Sequence, residues 1–192
     1  AVFWYRKAAE QGQPFGQYEL GSMYLAGRGV AQDYAQALFW YRKAAEQGDA
    51  HGQNDLGFIY GVGLGVARDD VQAEFWYRKA AEQGIADAQA NLGVMYENGL
   101  GVAQDDAQAV FWYRKAAEQG DARAQVNLGY MYANGRGVVR ADAQAVILYR
   151  KAAEQGYARA QVNLGYMYAN GRGVAQDDAQ AVFWYRKAAE RE

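Results

Sequence analysis

At 192 residues, with 51 % hydrophobic and 22 % charged residues, the chain has the balance of a folded globular domain with room for a sizeable core. A net charge of −2 removes the electrostatic case for nucleic acid or an acidic membrane surface. A single Pro, no Cys and no Thr, beside abundant Ala, Gln and Glu, favour helix over sheet and exclude disulfides.

The chain opens with Ala1-Val2-Phe3-Trp4-Tyr5-Arg6-Lys7, which has no basic lead into an apolar core and so is no signal peptide. It lacks an initiator Met, and its letters recur downstream, so the sequence reads as a segment of a longer protein. No apolar run approaches the ~18 residues of a membrane span. Bacterial cytoplasm and periplasm are both compatible with these features.

The string Phe-Trp-Tyr-Arg-Lys-Ala-Ala-Glu starts at Phe3, Phe39, Phe75, Phe111 and Phe183, on a period of 36 residues, and Ile147-Leu148-Tyr149 fills the remaining place. A second string, Asn-Leu-Gly-x-Met-Tyr, keeps the same period at Asn91, Asn127 and Asn163, with looser copies at Glu19 and Asp55. Such self-similarity is the mark of a repeat architecture.

The first 12 residues predict a lone B helix. Five A–B helix pairs follow, over about 13–48, 49–84, 85–120, 121–156 and 157–192, as one repeat domain. Pro14 suits the first turn of a helix A, where a missing N–H costs nothing. In the fourth unit Ala124, Leu128, Met131 and Tyr132 share a face, and Gly129 beside them admits a close neighbour. Asn134-Gly135 supplies a left-handed cap and Gly135-Arg136-Gly137-Val138 a turn.

Each helix B is expected to start at an Asp (Asp33, Asp69, Asp105, Asp177) with Gln three residues on, a capping box in which the Gln reaches back. The fourth unit has Ala141 at the cap and should start more weakly. Helix B should bury Ala37, Trp40, Tyr41, Ala44, Ala45 and their equivalents, and stop at Gly48, Gly84, Gly120 and Gly156. One pair cannot bury its own stripe, so stacked pairs are required.

The pattern Ala-x-Ala-Gln-x-Asn-Leu-Gly-x-Met-Tyr-x-Asn-Gly-x-Gly-Val, with the downstream Trp-Tyr-x-Lys-Ala-Ala-x-x-Gly, resembles the Sel-1-like repeat family, relatives of the tetratricopeptide repeat. The resemblance covers essentially the whole chain and implies an all-α, right-handed α/α solenoid (superhelix) of helix-turn-helix repeats. It also implies scaffold or adaptor work in bacterial complexes. Some cysteine-rich members are linked to β-lactam binding or hydrolysis, and this chain has none of their Cys. The departures are Gly16 and Gly52 for the second Ala, Leu25-Ala26 and Gly61-Val62 before the turn, and Leu148 for Trp.

The inventory is poor in catalytic groups. Ser22 is the sole Ser and His51 the sole His, and they fall in successive A helices, so no nucleophile–base pair is expected. One His and no Cys give no zinc site, and no cofactor is implied. The Asp69-Asp70, Asp105-Asp106 and Asp177-Asp178 pairs read as helix caps, and the Gly-x-Gly turns lack the strand and Lys of a phosphate loop. The expected activity is therefore non-enzymatic.

Columns that vary between repeats are where a partner should be chosen. On the A helices these give His51, Asn54, Phe58, Asp87 and Asn91, then Arg123, Asn127, Tyr130, Arg159, Asn163 and Tyr166. In solenoids of the resembled class A helices line the concave groove. The expectation is a protein or peptide partner carrying an acidic segment or a free C-terminus, held over the fourth and fifth units by Arg, Asn and Tyr. The alternatives are a self-assembly module and, further off, a cell-wall or β-lactam binder with weak hydrolysis. The chain is expected to be monomeric, with self-association possible through a ladder of Phe3, Phe39, Phe75, Phe111, Ile147 and Phe183. The ladder either contacts the adjacent repeat or forms a second binding surface.

Overall fold

A computed structural model describes residues 1–190 and holds eleven α-helices and no strand among them. They are α1 (Val2–Glu10), α2 (Pro14–Ala26), α3 (Tyr34–Glu46), α4 (Ala50–Val62), α5 (Asp70–Glu82), α6 (Ala86–Asn98), α7 (Asp106–Glu118), α8 (Ala122–Asn134), α9 (Asp142–Glu154), α10 (Ala158–Ala169) and α11 (Asp178–Ala189). Odd-numbered helices are the B elements and even-numbered ones the A elements. The chain forms two compact units, one of Ala1–Met95 with Gly99–Ala103, the other of Tyr96–Asn98 with Gln104–Glu192.

Within each unit the same contact joins A to B. Gly21 and Gly57 in the first unit, and Gly129 and Gly165 in the second, lie under the rings of Tyr41, Tyr77, Tyr149 and Tyr185. A methyl group at Gly129 would stand 2.7 Å from the Tyr149 ring, so only Gly lets the helices close. Around this contact Ala37, Ala73, Ala109, Ala145 and Ala181 of the B helices and Leu20, Leu56, Leu128 and Leu164 of the A helices are buried. Of the expected core tryptophans, Trp76, Trp112 and Trp184 are buried, whereas Trp40 is only half-buried and Trp4 is exposed.

The helix ends follow the sequence with one correction. Asp33, Asp69, Asp105 and Asp177 accept from the N–H of Gln36, Gln72, Gln108 and Gln180. The Gln side chains do not reach back. The N–H of each cap residue donates instead to a carbonyl in the last turn of the preceding helix A, that of Tyr24, Tyr60, Tyr96 or Tyr168. The turn folds so tightly that an orphan carbonyl takes the donor first. Ala141 keeps this backbone bond to Tyr132 and lacks a side-chain cap, as expected. Gly48, Gly84, Gly120 and Gly156 follow the B helices with φ of 93°, 94°, 93° and 85°.

A buried amide ties each pair to the B helix before it. Gln17 and Gln53 donate to the carbonyls of Ala9 and Ala45, eight residues back, and accept from Gln47 and Gln83 at 2.7 Å. In the second unit Gln125 donates to Ala117 and accepts from Gln155 at 3.0 Å. A buried carboxamide with both ends satisfied costs little and tolerates no slip. Nothing in the letters around these glutamines marks this bond.

Candidate functional site

In the second unit, α8 and α10 lie side by side and present Tyr130 and Tyr166, 40 % and 47 % exposed. The Gly-Arg-Gly turn after each helix sends an arginine back over the ring, with the Arg136 guanidinium 6.0 Å from the Tyr130 centroid and that of Arg172 5.9 Å from Tyr166. Each guanidinium also grips a carboxylate one repeat earlier. Arg136 holds Asp106 through two bonds of 3.1 and 2.7 Å and Glu97 through a third of 2.9 Å. Arg172 holds Asp142 at 3.3 and 2.8 Å and the carbonyl of Ala133 at 2.8 Å.

At the start of α7 the second Asp of the pair thus does separate work from the first. Asp105 caps α7, while Asp106 receives Arg136. Asp142 receives Arg140 and Arg172 together, and their hydrogen bonds hold its carboxyl well below the usual carboxylate range. Two guanidinium groups against one carboxylate leave this corner with a net positive charge. Glu97 also accepts the Tyr113 hydroxyl at 2.7 Å, and burial pushes that phenol far above its ordinary value, with the Glu97 bond adding to it.

Between the two arginine-covered rings lies a recess of about 260 Å³ bordered by Tyr130, Asn134, Tyr149, Asn163, Tyr166 and Arg172. Burial pushes the Tyr149 hydroxyl up to about 12, so it is a neutral donor at physiological pH. Three of the residues singled out in the sequence, Tyr130, Asn163 and Tyr166, meet here. Arg159 is exposed on the same helix and reaches Asn127 at 3.5 Å. Arg123 is half-buried on α8. Asn127 itself is 8 % exposed, which takes it out of any open lining. Its neighbour Val126 is 0 % exposed while Val162, in an identical string, is 46 % exposed, because α10 covers α8 and no further A helix covers α10 among the described residues.

The first unit carries a different surface. His51 is exposed with its ring 5.8 Å from that of Tyr18, and Phe58 is exposed one turn beyond the half-buried Asn54. Asn54 donates to Asp55 at 3.0 Å. Burial raises the Asp55 carboxyl above its ordinary value, against the pull of bonds from Asn54 and Tyr41. Asp87 is exposed and Asn91 half-buried on α6. The Ser22 hydroxyl shares a 3.0 Å hydrogen bond with Tyr41, not with His51. No cluster of metal-ligating side chains occurs among the described residues, and none of their helices is long and apolar enough to cross a membrane.

On the B helices the aromatic ladder is open. Its five phenylalanines and Ile147 are between 44 % and 60 % exposed. The rings meet residues of their own helix. Phe39, Phe75, Phe111 and Phe183 stand edge-on to the following Trp at 4.9 to 5.0 Å, and the lysine one turn on lies over each ring, at 4.8 Å for Lys79, Lys115 and Lys187 and 5.5 Å for Lys43.

Comparison with known proteins gives the frame for these features. The family model described as Sel1 repeat matches residues 1–13, 14–49, 50–85, 86–121, 122–157 and 158–192. A protective antigen of uropathogenic Escherichia coli displaying an SLR fold is 45 % identical, with a TM-score of 0.93 over 98 % of this chain. This chain spans 40 % of the length of that protein. A Sel1 repeat protein from Oxalobacter formigenes is 40 % identical, with a TM-score of 0.89 over 94 % of this chain and 72 % of its own. Helicobacter pylori cysteine rich protein B is 30 % identical, with a TM-score of 0.54 over 67 % of this chain and 92 % of its own. No curated protein matches the chain.

Proposed function

The chain belongs to the Sel1 repeat family of helical solenoids, whose members generally serve as protein-interaction scaffolds, and from that premise we propose that it binds an extended acidic peptide segment on the A-helix face of its fourth and fifth repeats. The observation that carries this reading is the recess between Tyr130 and Tyr166, where two exposed rings, the Asn163 carboxamide and the surplus cation around Asp142 converge. Flat aromatic faces contribute apolar contact at low entropic cost, a carboxamide pairs with peptide backbone, and arginine pairs with carboxylates. Arg159 and Arg123 extend the positive edge along the same two helices. His51, Asn54, Phe58, Asp87 and Asn91 would then select a different stretch of partner, less acidic in character. The role is binding, without catalysis.

The test is fluorescence anisotropy of a labelled Glu/Asp-rich peptide with the wild-type chain and with the Arg123→Glu/Arg159→Glu variant, each checked for helicity. The acidic peptide should lose at least about tenfold in affinity, equivalent to ~1.4 kcal/mol, while an uncharged peptide of the same length does not discriminate between the two chains. Equal affinity of the acidic peptide for both chains would sink the proposal.

A further inference from the structure

The fourth repeat departs from the others at one B-helix position, where Leu148 stands in place of Trp. On the B-helix side of the second unit, a second recess of about 210 Å³ opens at that residue. Leu128 and Tyr132 of α8 border it, with Arg114 and Ala117 of α7 on one side and Ile147 and Leu148 of α9 on the other.

The next repeat shows what ordinarily fills such a place. Trp184, the counterpart of Leu148, is 8 % exposed and belongs to an apolar cluster with Ala153, Leu164 and Tyr168. Those three are the counterparts, 36 residues on, of Ala117, Leu128 and Tyr132. The surroundings of a tryptophan are therefore intact in the fourth repeat and the indole is missing. Replacing Trp by Leu in a frame held by the helices on either side leaves space that the frame cannot collapse to fill.

The cation is in place as well. In the neighbouring repeats Lys115 and Lys187 lie over both rings of their Phe-Trp pair, 5.3 Å from Trp112 and 5.4 Å from Trp184. Lys151 occupies the same position beside an aliphatic Ile147-Leu148 pair and borders the recess. Arg114, which donates to the Tyr132 hydroxyl at 3.0 Å, adds a second cation, a planar one, at the rim. Apolar walls with cations at the mouth suit an electron-rich aromatic face better than an aliphatic chain.

The geometry points to a binding pocket at Leu148 for a tryptophan side chain supplied by a protein partner, which completes the fourth repeat from outside. It is a separate site from the A-helix recess and faces the B-helix side. The incoming indole takes the place of Trp184 in its own repeat, resting on Leu128 and Tyr132 beneath Lys151.

The probe is N-acetyl-tryptophanamide, titrated into the full chain and followed by backbone amide NMR shifts. Saturable shifts are expected around Leu128, Tyr132, Leu148 and Lys151, and N-acetyl-leucinamide should bind at least about tenfold more weakly. Leu148→Trp restores the residue of the other repeats, fills the pocket from within and should abolish the shifts while raising the unfolding midpoint. Leu148→Phe, as a second filling variant, should weaken binding by an intermediate factor. Arg159→Glu should leave this titration unchanged, which separates the pocket from the acidic-peptide site. No saturable shifts, shifts elsewhere on the chain, equal binding of the leucine probe, or undiminished binding by a folded Leu148→Trp variant would each overturn the assignment.

Discussion

Arg136 and Asp106 lie 30 residues apart in sequence and meet through a pair of parallel hydrogen bonds, which pin the turn after α8 to the first turn of α7. Asp106 sits in the first turn of its helix, where the helix dipole favours a negative charge, and both of its oxygens accept from the guanidinium. Leu64 and Leu100 hold the equivalent turn position elsewhere, so the clasp belongs to particular repeats and not to the fold as a whole.

Arg136→Leu should cost about 1 kcal/mol, because a half-exposed bidentate pair and the Glu97 contact are lost together. Urea unfolding would register this as a lower midpoint at unchanged slope. High salt should weaken the wild type towards the variant.

Two glycines of one helix should respond to alanine with opposite signs. A methyl at Gly57 would meet the Tyr77 ring at 2.8 Å, so Gly57→Ala should destabilise by about 1–3 kcal/mol through overpacking. At Gly61 the nearest atom would be 3.6 Å away, an ordinary contact. There Gly61→Ala should stabilise by about 0.5 kcal/mol, from helix propensity. Thermal melts of the two variants side by side decide the matter.

Restoring the absent cap should strengthen α9. Ala141 accepts nothing through its side chain, whereas the Asp at this place in α3, α5, α7 and α11 accepts from the backbone. Ala141→Asp should gain about 1 kcal/mol. Slower amide hydrogen exchange confined to the first turn of α9 would be the local signature.

The buried Asp55 sets a pH dependence of definite sign. Burial raises its carboxyl above 3.8, so the native state keeps the proton to a higher pH than the unfolded chain does. Its contribution is fully present below 3.8 and is lost as pH rises through the raised native value. Asp142 runs the other way: its contribution is present above the ordinary carboxylate range and is lost as pH falls through its depressed native value. Asp55→Asn should remove the first trend and leave the second, which urea midpoints measured across the acid range would resolve. An unchanged slope in the variant would count against the raised carboxyl.

The architecture was readable because its determinants are local and repeated. Helix caps at Asp33 and Asp105, stops at Gly48 and Gly120, and the small residue at Gly129 each follow from a few neighbouring letters. What escaped reading depends on the neighbour one repeat away. Asp106 looked like a second cap and serves as the anchor for Arg136. Asn127 and Asn163 share one string, yet the first is buried and the second half-exposed, since only position in the stack distinguishes them. The Leu148 departure was visible in the letters. Its consequence required the surroundings of Trp184 for comparison.

The glutamine pairs bear on how such a chain can lengthen. Gln17 with Gln47, Gln53 with Gln83, and Gln125 with Gln155 are all separated by 30 residues, and each reaches a carbonyl eight residues upstream. Duplicating or deleting one whole period hands each of these paired amides an equivalent partner. Gaining or losing any other length strands a dry carboxamide at the seam, a penalty of about 1–3 kcal/mol for each group left unmet. The buried amides therefore act as a proofreading mark on repeat copy number, letting genetic slippage succeed in whole steps and fail in fractions.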